Sequence, residues 1–327
     1  MSVSTKTINR TSSVNQFFRR FVKNNGAIVI FVIIFGFALL FVKNFASAQN
    51  MLIIIKQSAV PVIACIGMTM VLMTGGIDLS FGYNIGFTSI VAGLLIKTMG
   101  APVWLGILAA LTAGAAIGLG NGILVDKVNV PAFITTLGTG YIVLGAAQIV
   151  SKGNTINKLP KNFLAVGQTP VGVFNTTILI AIAVAVIFYI ILQRSTYGRA
   201  LSAFGYNKRA SFVSGVATSK IHISVYVISG FMAAMTGILL TIRVNCAQPD
   251  LGGGDYTFQI ITAAIIGGAS LFGGKGTIVG SVFGVLIIKV IENCINLAGV
   301  QYFLFQAVLG IVILFAIVFE SIKNKKL

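Results

Sequence analysis

Six carboxylates, one histidine and three cysteines are what the chain offers for acid–base, metal or thiol chemistry. The acids are Asp78, Asp126, Asp250, Asp255, Glu292 and Glu320, and the histidine is His222. A single histidine cannot build a His/Cys ligand cluster, and a nucleophilic triad around it lacks partners at a plausible depth. At the start of an apolar run, His222 reads as an interfacial side chain. Cys65, Cys246 and Cys294 are scattered and match no metal or redox spacing, so they read as small buried hydrophobes. The glycine-rich stretch 268–277, GASLFGGKGT, invites comparison with a phosphate loop. Such a loop needs Gly, four residues, then Gly-Lys-Ser/Thr, so that its amides and lysine wrap the phosphates. Here Ala269 stands where the first glycine belongs, and Gly276 stands where the magnesium-binding hydroxyl belongs. The stretch is expected to be a tight turn whose glycines supply positive φ. No catalytic residue, metal site or bound cofactor is expected in this chain, and an enzyme is the least supported class.

The remaining polar groups gain interest because their surroundings are apolar. In 75–80, GGIDLS, Asp78 follows Gly75 and Gly76. An anion near lipid needs water, a cation or backbone amides at a helix end. Two compatible readings are an N-cap for the next helix and a gate or pathway element. Lys289 and Glu292 lie three apart and predict a pair on one helix face, a structural charge or a proton-coupling site, with Asn293 and Asn296 adding polarity. Asn121, Thr135, Thr136, Asn245 and Gln248 stand near the ends of apolar runs. They suit a hydroxyl-rich solute, although hydrogen bonding between helices is the commoner use of any one of them.

The elements that must position these groups are membrane helices. Of the 327 residues, 57% are hydrophobic and 9% charged, against about 25% charged in soluble domains. The 37 glycines suit close helix packing. The excess of 23 Lys and Arg over six acids could suggest a nucleic-acid partner. The cations instead sit at the ends of apolar runs, as in a protein oriented in the bilayer by positive charge, so no nucleic acid is expected. With about 20 apolar residues per crossing, the runs 26–42, 51–73, 79–96, 102–125, 130–150, 177–192, 221–242, 257–271, 277–297 and 301–319 predict an all-α integral membrane protein of about ten transmembrane helices. The run 257–271 is short and flanked by glycines, so a broken or re-entrant helix is expected there. Residues 1–25 form a basic tail with Lys6, Arg10, Arg19, Arg20 and Lys23 and no acid. The apolar run after it lacks a small-residue cleavage site, so it reads as the first crossing. The domains are then a cytoplasmic tail 1–25, a transmembrane domain 26–319 and a basic cytoplasmic tail 320–327. Both termini lie inside, and only Lys43, Lys97, Lys152, Lys158, Lys161 and Arg243 fall in outside segments. The longest outside segment, 151–176, reads as an ordered cap with a short surface helix or as a solvated loop.

One polar interruption stands out. Residues 193–220 carry Arg194, Arg199, Lys208, Arg209 and Lys220 and no acid, which suits a cytoplasmic docking surface. Asn207 is an N-cap residue and Gly215 a terminator, so 208–214 predicts a short helix.

Four stretches together resemble the permease subunits of bacterial ATP-binding-cassette importers for monosaccharides, the ribose, galactose, arabinose and xylose group. They are GMTMVLMTGGIDLSFG (67–82), VPAFITTLGTGYIVLG (130–145), YGRALSAFGYN (197–207) and GGGDYTFQIITAAIIGGASLFGGKGTIVGSVFG (252–284). The resemblance implies an all-helical importer fold in the bacterial cytoplasmic membrane, working as a homodimer or a pair of similar permeases. It implies cytoplasmic ATPase subunits that use ATP and magnesium, and an extracytoplasmic sugar-binding protein. It also implies that Gly198, Arg199, Gly205, Asn207, Lys208, Arg209 and Gly215 belong to the ATPase-coupling loop, and that ATP-driven closure switches the pathway between outward and inward access. The transported solute would be a monosaccharide, a ribose-like pentose first. Members of the group often carry an acidic-Ala-Ala stretch after Gly-x-Asn, where this chain has Lys208, Arg209 and Ala210. Two cations in a first helical turn oppose the dipole by about 0.3–1 kcal/mol each. An acidic ATPase groove or anionic lipid would offset this, or the short helix tolerates it. The alternative to an ATP-driven importer is an ion-coupled secondary transporter with Glu292 or Asp78 as the coupling site.

Overall fold

A computed structural model describes residues 26–325. The basic tail 1–25 and residues 326–327 lie outside the described residues, so the charges there have no structural account.

Ten of the helices coincide with the ten apolar runs. They are α1 (Gly26–Phe41), α2 (Ala48–Met73), α3 (Phe81–Gly93), α4 (Val103–Asp126), α5 (Ala132–Ser151), α7 (Thr176–Arg194), α10 (Thr218–Val244), α11 (Gly253–Ile266), α12 (Ile278–Leu297) and α13 (Tyr302–Lys325). Between them lie the short α6 (Lys161–Gln168), α8 (Thr196–Tyr206) and α9 (Lys208–Val213), and two-residue strands β1 (Ile156–Asn157), β2 (Pro170–Val171), β3 (Phe174–Asn175) and β4 (Cys246–Ala247). Helix α3 runs on as a π-helical turn over Leu94–Thr98. Helix α13 continues through most of the segment expected to be a tail.

Among the described residues, six helices are long and apolar enough to cross a membrane: α2, α4, α5, α7, α10 and α12. Helix α1 and the 303–315 stretch of α13 are apolar but shorter. Helix α11 has 14 residues, about 21 Å at 1.5 Å per residue, well short of a hydrocarbon layer of about 30 Å. The suspicion that the eighth run would be short is therefore correct.

Two helices form the axis. The most apolar windows of α2 and α10 are 67% and 72% buried, against 22–28% for α4, α5 and α7. The peripheral helices turn Leu108, Ile142, Ile149, Ile182 and Ile190 outward, as expected where lipid is the solvent and each helix satisfies its own backbone. Helix α4 meets α10 through glycines four apart. A β-carbon at Gly114 would stand 2.6 Å from the Gly230 carbonyl oxygen, one at Gly118 would overlap the Tyr226 carbonyl, and one at Gly122 would stand 3.0 Å from Ile223 Cα. Small residues at this spacing let helix backbones touch.

One end of the bundle is closed by the segment 151–176. Strand β1 pairs antiparallel with β4, α6 follows, and β2 and β3 make a hairpin. Of the two readings of this segment, an ordered cap is the one observed. The other end carries α8 and α9, packed beneath the ends of α2 and α4.

Candidate functional site

Among the described residues, the most buried carboxyl group is at the break between α2 and α3. Helix α2 ends at Thr74, Gly75 turns the chain at φ 79°, and Gly76 passes so close to the Tyr226 hydroxyl that no side chain fits. Asp78, 1% exposed, follows. Its Oδ1 accepts the Ser80 amide at 3.0 Å and the Ser80 hydroxyl at 2.6 Å, and its Oδ2 accepts the Ser229 hydroxyl from α10 at 2.8 Å. Asn121 of α4 donates to Ser80 Oγ at 2.8 Å. Ser80 stands at the N-cap position of α3 and makes no side-chain cap bond. Asp78, two residues earlier, accepts the amides of Ser80 and Phe81 as the capping reading expects, and it also joins the break to α10 and, through Ser80, to α4.

The first amides of α3 show why the surroundings are polar. A helix start leaves N–H groups without partners in its own turn, and inside a membrane protein each must find one. The Leu79 amide donates to Thr136 Oγ1 of α5 at 3.0 Å, that of Ser80 to Asp78, and that of Gly82 to Thr257 Oγ1 of α11 at 2.9 Å. Three side chains from three elements thus satisfy one helix terminus. Nearby, Tyr226 Oη, Asn121 Oδ1, Asn84 Oδ1 and Thr135 Oγ1 are buried without a hydrogen-bond partner.

Of the sequence-derived pathway candidates, Gly75, Gly76, Asp78, Asn121 and Thr136 meet here, with Thr135 adjacent in α5. The others do not join them. Glu292 accepts from Lys289 at 2.7 Å, the expected pair. Asn293 exchanges two hydrogen bonds with Asn50 of α2, at 2.7 and 3.0 Å, and Asn296 is exposed. Asn245 and Gln248 belong to the cap end. Asn245 ends α10 in the left-handed conformation and its Oδ1 accepts the Leu159 amide at 3.1 Å. The Gln248 amide donates to Ser89 Oγ at 3.3 Å.

At the opposite end, the basic interruption folds as an elbow. Ser195 caps α8 by accepting the Gly198 amide at 3.4 Å, and Gly198 leaves no room for a β-carbon beside the Leu192 carbonyl. Gly205 likewise lies against the Met73 carbonyl and Gly274. Ser202 donates to the Gly274 carbonyl at 2.5 Å, and the Gly274 amide donates to Met73 O at 2.9 Å. The rejected phosphate loop is therefore the bearing on which α8 rests, with Gly268, Gly273 and Gly274 at positive φ as expected. Asn207 caps α9, accepting the Ala210 amide at 2.9 Å, and Gly215 ends it at φ 83°. Arg199 and Arg209 are exposed. Tyr197 Oη pairs with Ser224 Oγ of α10 at 2.8 Å, and burial raises this phenol above its ordinary range, so it stays neutral. Tyr206, Phe212 and Val213 are 63–80% exposed beside the cations, giving an amphipathic surface.

Two residues outside the sequence-derived coupling set, Asp126 and His222, complete the elbow with Lys208. Lys208 Nζ donates to Asp126 Oδ1 at 3.1 Å, and His222 Nδ1 reaches the same oxygen at 3.0 Å. His222 is thus not an interfacial side chain: it is 8% exposed, with its ring 4.9 Å from that of Phe204. His222, Tyr226 and Ser229 follow at four and three residues, one face of α10. That face runs from the elbow past Gly76 to Asp78. No ion pair to Asp78 is found among the described residues, and none of them form a metal-binding cluster.

Comparison with known proteins fits this geometry. Residues 50–317 match a family described as "Branched-chain amino acid transport system / permease component". The ribose import permease protein of Escherichia coli (strain K12) is 35% identical over 287 residues, 86% of this chain and 88% of that protein. The L-arabinose transport system permease protein of the same strain is 34% identical over 94% of this chain and 93% of its own length. Its galactose/methyl galactoside import permease protein is 31% identical over 94% and 96%. No solved structure matches. Matches of this extent establish that the chain belongs to this permease family, whose curated relatives are sugar import permeases.

Proposed function

We propose that the chain is the translocation subunit of an ATP-binding-cassette importer for a monosaccharide, driven by separate cytoplasmic ATPase subunits that engage α8 and α9. The observation that carries this reading is the continuous face of α10. Its first turn is tied to the elbow through His222 and Asp126, and its Ser229 holds the buried Asp78. A push on the exposed Tyr206, Phe212 and Val213 would reach a break in the membrane core along one helix. Buried atoms without partners, among them Tyr226 Oη and Asn121 Oδ1, suit a bundle with a second arrangement of the same helices.

In this reading the ten helices that match the apolar runs are the membrane elements, both termini are cytoplasmic, and α3 and α11 are the short ones. The cap 151–176 faces outward and receives the sugar-binding protein, beside an open cavity of about 330 Å³ lined by Lys56, Gln57, Gln168 and Arg243. Two permeases, identical or similar, form the pathway in the bacterial cytoplasmic membrane. ATP and magnesium belong to the partner ATPase. A ribose-like pentose is the first substrate to test, because the relatives are named for ribose, arabinose and galactose.

The test is reconstitution in proteoliposomes with candidate ATPase and sugar-binding partner proteins, using labelled ribose, arabinose and galactose. Uptake of one sugar that needs both partners and internal ATP supports the reading. Uptake without the ATPase that collapses with an uncoupler replaces it with an ion-coupled carrier using Asp78, since Glu292 is tied to Lys289.

A further inference from the structure

Two charges at the elbow sit at the unfavourable ends of their own helices. Asp126 is the last residue of α4, at the negative end of its dipole, and Lys208 is the first residue of α9, at the positive end. Neither placement makes sense helix by helix, but each charge answers the other at 3.1 Å. The oxygen that takes the Lys208 ammonium also takes His222 Nδ1 at 3.0 Å, so that ring nitrogen carries a proton. Ser219, in the first turn of α10, also donates to Asp126. The carboxylate is 4% exposed and the imidazole 10%, while the lysine side chain is 48% exposed.

We propose that Asp126 is a positioning residue for energy coupling, clamping α9 to α10 through one carboxylate oxygen, with a permanent arm to His222 and a releasable arm to Lys208. This rests on the importer reading of the elbow. The asymmetry follows from burial. An acidic side chain on a docking partner can compete for a half-exposed ammonium, whereas it cannot reach the buried imidazole. Part of the compensation for Lys208 at a helix start therefore comes from inside the chain. Arg209, exposed beside it, remains the cation turned outward. Once Lys208 leaves, α9 is bounded by Asn207 in extended backbone and Gly215 at positive φ. These are the two points about which a short helix can swing without unwinding.

The experiment has two arms on the full chain in nanodiscs. Hydrogen exchange follows the amides of Ser211, Ser214, Gly215 and Val216, whose acceptors lie within 207–212. Asp126→Asn and Lys208→Met should each speed their exchange by about threefold to tenfold, with α8 unchanged. Lys208→Met leaves Asp126 and its His222 arm in place and removes only the half-exposed ammonium, which also lies 5.6 Å from the Phe204 ring centroid, so it reports even if Asp126→Asn folds poorly. Lys208→Arg, which keeps a cation for the same oxygen and leaves Asp126 with His222, should retain most of the protection that Lys208→Met loses. In the second arm, with the ATPase and binding protein present, sugar moved per ATP should fall in Asp126→Asn and Lys208→Met and recover in Asp126→Glu. Unchanged exchange in Lys208→Met, or a Lys208→Arg no better protected than Lys208→Met, overturns the clamp. Altered exchange with an unchanged sugar-to-ATP ratio overturns its coupling role. A wild-type chain that transports without ATP brings down the importer reading itself, and the exchange arm still decides whether the clamp exists.

Discussion

The seam between α4 and α10 makes the most direct claim on stability. In Gly118→Ala, the new methyl would overlap the Tyr226 carbonyl oxygen and stand 2.9 Å from its carbon and 3.1 Å from Val227 Cα. All three are backbone atoms and cannot rotate away, so the helices must part by about half an ångström or more before ordinary contact returns. Gly114 and Gly122, one turn away on either side, lose contact together with it. Gly120→Ala is the matched control, because nothing lies within 4 Å of a β-carbon there. Alanine gains about 1 kcal/mol of helix propensity at either site, so the difference between the variants isolates the seam. We expect Gly118→Ala to be less stable than Gly120→Ala by about 1–3 kcal/mol, the usual cost of overpacking. Reversible unfolding in mixed micelles measures the difference. Equal stabilities would show that α4 and α10 are not in backbone contact. The same displacement moves Asn121 from Ser80, now 2.8 Å away, so transport should fall in Gly118→Ala alone.

The other predictions concern single polar contacts. Thr257→Val leaves the Gly82 amide without its acceptor and should cost about 1–3 kcal/mol, whereas Thr257→Ser, which keeps the hydroxyl, should stay close to wild type in the same unfolding assay. Ser229→Ala removes one of the donors to Asp78 and should lower stability by about 0.6–1.7 kcal/mol, the range for hydrogen bonds between membrane helices, with a loss of uptake in proteoliposomes. For Asn50 and Asn293, a double-mutant cycle with leucine should give a coupling energy of about 1 kcal/mol; a value near zero would show that the reciprocal pair does not hold α2 to α12.

Run lengths of apolar residues located the helices, because in lipid a backbone can satisfy itself only within a helix. Caps located the elbow. Asn207 and Gly215 bound α9 because they are local signals read by their own neighbours. Partner choice was not legible in the same way. Asp78 was visible as a buried anion, but its Ser229 donor lies 151 residues on, and nothing in either segment names the other. Asp126 and Lys208, 82 residues apart, are an intermediate case. Each is misplaced on its own helix, a signal that a partner exists, and the chain holds only six acids to choose from. The four-residue spacing of Gly114, Gly118 and Gly122 was equally available, yet no periodicity of small residues says which helix will fill the groove. Glycines of 268–277 were legible as a turn, whereas the Tyr226 hydroxyl pressed against Gly76 became visible only once α10 was in place.

Short helices explain why the polar groups gather at one depth. A helix that crosses the whole membrane leaves its unpaired amides near water, where they cost little. Helix α3 begins inside the bundle, with Ser80, Phe81 and Gly82 all buried, so its amides need acceptors that the protein must supply. Thr136, Asp78 and Thr257 supply them from α5, the break and α11. Of these, only Asp78 is ionisable, and only it is shared with α10. Removing either threonine hydroxyl strands one amide, whereas moving α10 takes a donor from the buried carboxyl group and leaves it undercompensated. The carboxylate is therefore the contact whose energy depends most steeply on where α10 sits, and α10 is the helix that the elbow holds at its first turn. A bundle meant only to be rigid could satisfy that terminus with threonines alone. In the proposed importer, a carboxyl group held by hydroxyls midway along a helix clamped beside an exposed surface would let the fold sense movement at that surface.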